Sequence, residues 1–231
     1  MNWTMRTTLT GLSLAAAMAV LPDHAQAQAE VPTARSKVKC PKMGEKPRVV
    51  AIGSSTMRGT LGPMLKRLIR QRKYSLTIEN KAKSSTGLAR PDFFDWHARA
   101  KTIVKAGRPD VWLVAMGTND YQAVRMSKKV WHRPPTEKWR AAYAARVRGL
   151  LEIMSGPDRT SAVVYIGSTA FGRSASRRIG PKLNAIIRSE IEKFDGPAIF
   201  IDAFKMTSNK RHEAVKMTRI PGTKRRITVF G

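Results

Sequence analysis

Two stretches of the chain repeat one short pattern, an apolar run that ends at a glycine and is followed by small polar residues. They are RVVAIGSSTM at residues 48–57 and DVWLVAMGTND at residues 110–120. Short apolar runs bounded by glycine are typical of strands that are buried on both faces of a sheet. Because such strands belong to parallel sheets with helices on both sides, the repeat favours an α/β fold.

Predicted strands of this kind recur along the chain, and amphipathic segments separate them. Strands are expected at residues 49–52, 75–79, 110–116, 161–166 and 198–201, and helices at 61–72, 92–107, 136–154 and 181–194. The third helix has an apolar face, which consists of Trp139, Tyr143, Val147, Leu150, Leu151 and Met154. Residues 167–180 are predicted to form a polar loop, and no regular element is predicted after residue 202. The alternation predicts a three-layer α/β/α domain with a parallel five-stranded sheet, and right-handed crossovers favour the order 2-1-3-4-5.

The N-terminal residues have the pattern of a secretory signal. Arg6 precedes an apolar run at residues 9–21 that is too short to span a bilayer, and Ala25-Gln26-Ala27 fits a small-x-small cleavage site. We therefore expect a signal peptide at residues 1–27, a flexible basic leader at 28–47 and a single domain at 48–231. An uncleaved membrane anchor is the alternative. Cleavage predicts a periplasmic or secreted protein with no transmembrane segment.

The chain is strongly basic, with 43 Lys and Arg against 16 Asp and Glu and a formal net charge of +27. Such a surface attracts polyanions, but the export signal argues against nucleic acid as the partner. Anionic envelope polymers or lipid head groups fit an exported protein, and a merely solvated basic surface is the alternative. The single cysteine, Cys40, permits no intramolecular disulfide. The four histidines lack ligand spacing with one another and with Cys40, so no metal site is expected.

The predicted strand order brings three loops to one edge of the sheet. These are the Ser54-Ser55 turn, the loop at residues 84–88 and the turn at residues 117–120. An acyl-transfer site needs a serine nucleophile, with backbone N–H groups and an amide side chain beside it. Ser55 would attack, and its own N–H, an N–H near Gly87 and the Asn119 side chain would hold the oxyanion. In the alternative interpretation, the serines only turn and cap the chain.

These blocks resemble those of a known superfamily. GSSTM at residues 53–57 is similar to the first block of the SGNH (GDSL) hydrolases, KSSTGL at 83–88 to their glycine block, and GTND at 117–120 to their G-x-N-D block. The longer string SSTGLARPDFFDW at 84–96, with Trp139 and Tyr143, resembles the exported bacterial DUF459 branch. The resemblance covers residues 48–202. It implies a flavodoxin-like fold and cofactor-free hydrolysis of esters, such as acyl or acetyl groups on lipids or polysaccharides.

The chain departs from the family pattern at two places. Ser54 stands where Asp usually precedes the nucleophile. In the late D-x-x-H block, Thr223 stands where Asp is expected and Arg226 where His is expected, and the usual final helix is missing. Arginine stays protonated and cannot act as a base. His212 is a weak candidate base, with an ordinary surface histidine as the alternative. The sequence therefore leaves two functions open, an exported ester hydrolase and a degenerate relative that binds an acylated glycan or anionic polymer.

Overall fold

The computed structural model describes residues 33–219 and 226–228. The strands are β1 (Thr33–Arg35), β2 (Arg48–Gly53), β3 (Thr77–Asn80), β4 (Val111–Ala115), β5 (Val124–Arg125), β6 (Trp131–His132), β7 (Ala162–Ile166), β8 (Ala198–Ile201), β9 (Met217–Arg219) and β10 (Arg226–Thr228). The α-helices are α1 (Gly62–Gln71), α2 (Trp96–Lys105), α3 (Glu137–Ser155), α4 (Ser174–Lys193) and α5 (Ala203–Thr207), and a π-helical turn, Met57–Leu61, precedes α1.

The central sheet is six-stranded, in the order β1-β8-β7-β4-β2-β3. The strands β2, β3, β4, β7 and β8 are mutually parallel. They follow the predicted order 2-1-3-4-5, and the prediction of an α/β fold is confirmed.

The prediction of a purely parallel, five-stranded sheet was wrong, because β1 adds an antiparallel edge strand. Ala34 pairs with Phe200, and the Ser36 N–H donates to the Ala198 carbonyl at 2.9 Å. This strand lies in the segment that was predicted to be a flexible leader. Its three residues have no apolar alternation, so backbone pairing to the open edge of β8 builds it.

One face of the sheet is densely packed, and we call it the packed face. Alternate strand residues point toward it. They are Val50, Ile52, Trp112, Val114, Val163, Tyr165, Ala198 and Phe200. Buried side chains of α2, α3 and α4 cover them, including the whole predicted apolar face of α3. The large core of the protein therefore lies between the sheet and these three helices.

The opposite face is more thinly covered, and we call it the thin face. Its buried cluster consists of Ala51, Met57 and Ala115, with Leu113 and Ile166 only partly buried beside them. The helical residues 57–71 follow β2 on this side, yet Met64 and Leu68 of α1 remain 57% and 44% exposed. The thin face therefore contributes much less buried apolar surface than the packed face.

Helix α4 begins earlier than predicted. It starts at Ser174, so Pro181 lies inside the helix and residues 174–180 are not the predicted loop. The Ser176 hydroxyl accepts a hydrogen bond from the Phe171 N–H at 2.9 Å, which stabilises the first turn. Gly180 allows Phe204 to pack against the helix, since a Cβ there would lie 2.4 Å from the Phe204 ring.

Both ends of the sequence include predictions outside the described residues. The predicted signal peptide, residues 1–27, and Thr223 belong to them. In the region predicted to lack regular structure, α5 follows β8 and a short hairpin pairs β9 with β10. In the ranges 33–219 and 226–228, none of the helices has the length and apolar character needed to cross a membrane.

Candidate active site

A cleft of about 430 Å³ opens at the carboxyl ends of the parallel strands, the edge at which open α/β sheets bind ligands. Its walls come from the segments that follow β2, β4 and β7. They consist of Ser55, Thr56, Thr118, Asn119, Tyr121, Gln122, Phe171, Arg173, Ala175 and Ser176. The structure thus brings Ser55 and Asn119, two of the predicted site residues, into one cleft.

The backbone around Gly53 presents Ser55 at the mouth of this cleft. Gly53 has φ 147°, and a Cβ there would lie 2.2 Å from the Ala115 carbonyl oxygen, so glycine is required. Ser54 is buried, and its N–H donates to the Ala115 carbonyl at 3.2 Å. Ser55 follows as an exposed residue at the start of the helical segment. Within the described residues its hydroxyl has no hydrogen-bond partner, so it is free to meet a ligand.

The π-helical turn directly after Ser55 is held by the neighbouring strand. The Asn80 side-chain amide donates to the Met57 carbonyl at 3.2 Å, a carbonyl near the start of this turn. Such turns interrupt regular helices and are frequent at functional sites. Asn80 therefore supports the segment that carries Ser55.

Asn119 connects the turn after β4 to the loop after β3. Its Nδ2 donates one hydrogen bond to the Thr86 carbonyl at 3.0 Å, and Gln122 Nε2 donates to the Asn119 backbone carbonyl at 2.6 Å. An amide NH₂ has two hydrogens, so Asn119 keeps one N–H for a ligand in the cleft. The predicted meeting of these loops at one edge is present in the structure.

Gly87 is buried behind the cleft and is not among the residues that line it. A Cβ at this position would lie 2.2 Å from Asp120 Oδ1, so the carboxylate fills the space that a side chain would need. No described residue accepts a hydrogen bond from the Gly87 N–H. The role of this N–H in an oxyanion hole stays a prediction.

Asp120 fastens the loop at residues 84–89 to the packed face. It is fully buried, its Oδ1 accepts from the Ala89 N–H at 2.7 Å, and Tyr143 of α3 donates to its Oδ2 at 2.9 Å. Burial raises the pKa of the Asp120 carboxyl, although these hydrogen bonds oppose that shift. Arg146 of α3 donates to the Leu88 carbonyl beside it. Asp120 thus holds the geometry of this loop.

The cleft lining contains no histidine and no carboxylate among the described residues. Its ionisable side chains are Tyr121 and Arg173. Burial raises the pKa of Tyr121, whose hydroxyl donates to the Thr169 carbonyl at 3.1 Å. Neither a neutral tyrosine nor an arginine accepts a proton near neutral pH. The described part of the cleft therefore offers no general base to Ser55.

The structure does not bring His212 to Ser55. His212 has φ 61°, and its ring lies edge-on to the Phe204 ring at a centroid distance of 6.0 Å. It lines a separate cavity of about 500 Å³ together with Pro181 and Arg188. Arg226, in the position expected for histidine, has its backbone in β10, paired with Arg219.

The two other described histidines also lie away from the cleft lining. His97 Nε2 lies 2.9 Å from the Arg146 carbonyl oxygen between α2 and α3, where burial lowers its pKa. His132 belongs to β6, the second strand of a small hairpin.

Sequence reasoning missed Arg173. Its side chain belongs to the cleft, but it lies in a segment that was predicted to be a featureless polar loop. The available signal was its position after a buried strand, at the same edge as Ser55.

Comparison with known proteins gives one family and several distant structures. The sequence profile of the family described as "Protein of unknown function (DUF459)" matches residues 48–228. No curated protein sequence matches the chain. The solved structures with a similar chain course include the esterase EstA from Pseudoalteromonas sp., at 12% identity and a TM-score of 0.42, over 70% of this chain and 80% of that one.

Two further structures show a comparable likeness. The family 3 carbohydrate esterase of Clostridium thermocellum has 12% identity and a TM-score of 0.44, over 63% of this chain and 70% of that one. The lipase Lip_vut3 from a goat rumen metagenome has 14% identity and a TM-score of 0.40, over 73% of this chain and 90% of that one. These values indicate only a distant similarity of the backbone trace. The family profile, in contrast, spans the five parallel strands and every loop that lines the cleft, and the chain belongs to the DUF459 family.

Proposed function

We propose that this protein is an exported serine ester hydrolase that removes acyl or acetyl groups from an envelope glycan or lipid. The observation that carries the proposal is the exposed Ser55 hydroxyl, which has no hydrogen-bond partner in the described part of the chain. It lies at the start of a helix, in the same cleft as the Asn119 amide. The resemblance of the three sequence blocks to SGNH hydrolases supports it.

The chemistry follows from this arrangement. Ser55 Oγ attacks the ester carbonyl carbon, and the negative charge that develops on the carbonyl oxygen is stabilised by the spare Asn119 N–H and the Ser55 backbone N–H. The bond to the leaving alcohol then breaks, the alcohol takes up a proton, and the acyl group stays on Ser55. Water attacks the acyl-enzyme, which releases the carboxylic acid and restores the serine.

The base available to Ser55 determines how fast this reaction runs. Since the described lining residues include no base, water or hydroxide accepts the Ser55 proton in this proposal. Binding and oxyanion stabilisation alone leave an acceleration on the order of 10³ over water in serine hydrolases that lack triad residues. We therefore expect slow hydrolysis whose rate rises with hydroxide concentration, without the plateau above pH 7 that a histidine base produces.

A small cavity beside the cleft supports the proposal that the acyl group of the substrate is short. It has a volume of about 20 Å³, shares Thr56 and Thr118 with the cleft, and includes Leu61, Met116 and Ile166 in its lining. A space of this size holds about one water-sized group, comparable to a methyl. Acetyl esters should therefore react faster than butyryl esters.

A second function is favoured because the described lining residues include no base. In this alternative, the protein is a catalytically degenerate relative that binds an acylated glycan or an anionic envelope polymer in the cleft. The replacements at Thr223 and Arg226 support it.

Hydrolysis of an aryl acetate by the mature protein separates the two functions. The proposal expects turnover that increases from pH 7 to pH 9 and is lost in Ser55→Ala but kept in the control Ser75→Ala, an exposed serine outside the cleft lining. Equal rates for the wild type and Ser55→Ala would reject the hydrolase. Binding of acetylated glycan by both proteins would then support the second function.

Export is part of the proposal and rests on residues 1–27. Mass spectrometry of the N-terminus, after expression in a bacterium with fractionation, should find the chain beginning at Gln28 in the periplasm or medium. An intact N-terminus in the membrane fraction would favour the anchor instead.

A further inference from the structure

The charge of the cleft is unbalanced. Arg173 is its only charged side chain at neutral pH among the described lining residues, since the raised pKa keeps Tyr121 neutral. Asp120, next to Asn119 in sequence, is buried behind the loop and accepts hydrogen bonds from Ala89 and Tyr143. The described wall of the cleft therefore presents one positive charge and no carboxylate.

Arg173 is placed by the start of a long helix. It is the last residue before α4, with φ −89° and ψ 141°, and its backbone carbonyl accepts from the Arg177 N–H at 3.2 Å. Its exposed side chain forms no ion pair or hydrogen bond with the described residues. Arg177, one turn further along, is paired with Glu213 at 3.2 Å. The guanidinium of Arg173 thus remains available to a ligand, whereas that of Arg177 does not.

The rest of the cleft has donors and apolar walls. Asn119 keeps a spare N–H, Ser55 has a free hydroxyl, and the rings of Tyr121 and Phe171 belong to the lining. A ligand that lies across this cleft can therefore meet a nucleophile, an amide donor and a cation together. Because a planar guanidinium matches carboxylate and phosphate oxygens in two-point contacts, Arg173 selects an anionic group.

We propose that the cleft selects anionic esters, with the carboxylate or phosphate of the ligand bound to Arg173 and its acyl ester directed at Ser55. The assignment of the ester end rests on the proposed function, whereas the anion site does not. The shared chemistry is an oxyanion on an acylated molecule, which an acidic sugar or a phospholipid head group can supply.

Binding to Ser55→Ala tests the anion site without turnover. The probes are O-acetylated glucuronic acid and O-acetylated glucose, compared by calorimetry at low ionic strength. We expect about fivefold tighter binding of the acidic sugar, a preference lost in Arg173→Gln and partly kept in Arg173→Lys. The matched control is Arg177→Gln, which removes an equal charge one turn away and should keep the preference.

Three outcomes overturn the proposal. They are equal affinity for the two sugars, a preference that survives Arg173→Gln, and an equal loss in Arg177→Gln, which would show an effect of surface charge alone. Vesicles of phosphatidylglycerol and of phosphatidylcholine identify the source of the anion. If phosphatidylglycerol vesicles compete with the acidic sugar for Arg173 and phosphatidylcholine vesicles do not, the result would support a phospholipid as the source.

The same variants separate this inference from the hydrolase. If Arg173-dependent binding is found and no aryl acetate is turned over, the anion site stands and the hydrolase fails. If the protein hydrolyses neutral and anionic esters with the same KM, and Arg173→Gln changes neither KM value, the hydrolase proposal stands and the anion site is rejected.

Discussion

The packed face and the thin face of the central sheet are built from the same strands but are stabilised very differently. Trp112 points to the packed face and is fully buried, whereas its neighbour Leu113 points to the thin face and is only partly buried. Alternating residues of one strand thus contribute unequally, because helices α2, α3 and α4 lie on the packed side. The free energy of unfolding should depend mainly on that side.

The cleft lies between these two environments. The turn and loop that carry Asn119 and Gly87 are connected to the packed face through Asp120 and Tyr143. Ser55 instead begins the helical segment of the thin face, where α1 leaves Met64 exposed. The Asn119 side of the cleft is therefore supported by hydrogen bonds to the packed face, and the Ser55 side depends on weaker packing.

The largest effect is expected from Trp112→Ala. The side chain is buried and its Nε1 donates to the Met154 carbonyl at 3.0 Å, so truncation should cost about 3–5 kcal/mol of unfolding free energy. Urea denaturation measures the loss. A cost below about 1 kcal/mol would show that the packed face does not dominate stability.

The second largest effect is expected from Asp120→Ala, which should lower the unfolding free energy by about 2–3 kcal/mol. The Ala89 N–H and the Tyr143 hydroxyl would stay buried without their acceptor. Urea denaturation again gives the value. Asp120→Asn keeps an oxygen for Ala89 and should lose less. Equal losses in the two variants would contradict this explanation.

Leu113→Ala tests the thin face directly. Since Leu113 is only partly buried, we expect a loss of about 1–2 kcal/mol, well below that of Trp112→Ala. The two variants are compared in the same denaturation experiment. Similar losses would remove the distinction between the faces.

The ionisation of Asp120 gives a smaller, pH-dependent effect. Burial raises the pKa of Asp120, so above the unfolded value near 4 the folded protein retains a proton that the unfolded chain releases. The stability that this proton gives is present at low pH and is lost as the pH rises through the folded pKa.

The Asp120→Asn variant has no carboxyl at this position, so its stability does not fall for this reason as the pH rises. The stability of the variant relative to the wild type should therefore increase between pH 4 and pH 8, as measured by denaturation at each pH. Leu113→Ala is the control, because it removes no ionisable group and its difference from the wild type should not depend on pH in this range. A flat difference for Asp120→Asn would refute the assignment.

The smallest change in unfolding free energy is expected from a substitution on the exposed side of α1. Met64→Lys changes a side chain that is 57% exposed and should alter the unfolding free energy by less than about 0.5 kcal/mol. A large loss, measured by the same denaturation, would mean that another part of the chain covers α1.

The parts of the fold that depend on apolar periodicity were predictable from the sequence. The five parallel strands follow from short apolar runs, their order from right-handed crossovers, and the buried face of α3 from helical periodicity. The edge strand β1 could not be found in this way, because backbone pairing rather than side-chain burial stabilises it. The early start of α4 was hidden by Pro181, which usually marks a first turn but here lies inside the helix.

The candidate site was predictable in part for the same reason. Ser55 and Asn119 directly follow buried strands, so their common edge could be inferred from the strand order. The hydrogen bonds of Asp120 with Ala89 and Tyr143 and the position of Arg173 join segments that are distant in sequence, and the sequence does not show which partners meet.

The pairing of β1 also determines where the chain enters the molecule. Thr33 is paired with Ile201, at the carboxyl end of β8, which is the edge of the sheet where the cleft opens. Anything attached ahead of Thr33 is therefore joined at the cleft edge. A bulky group attached there lies on the same side of the sheet as the cleft, so surface-based binding assays are better served by attachment at another position.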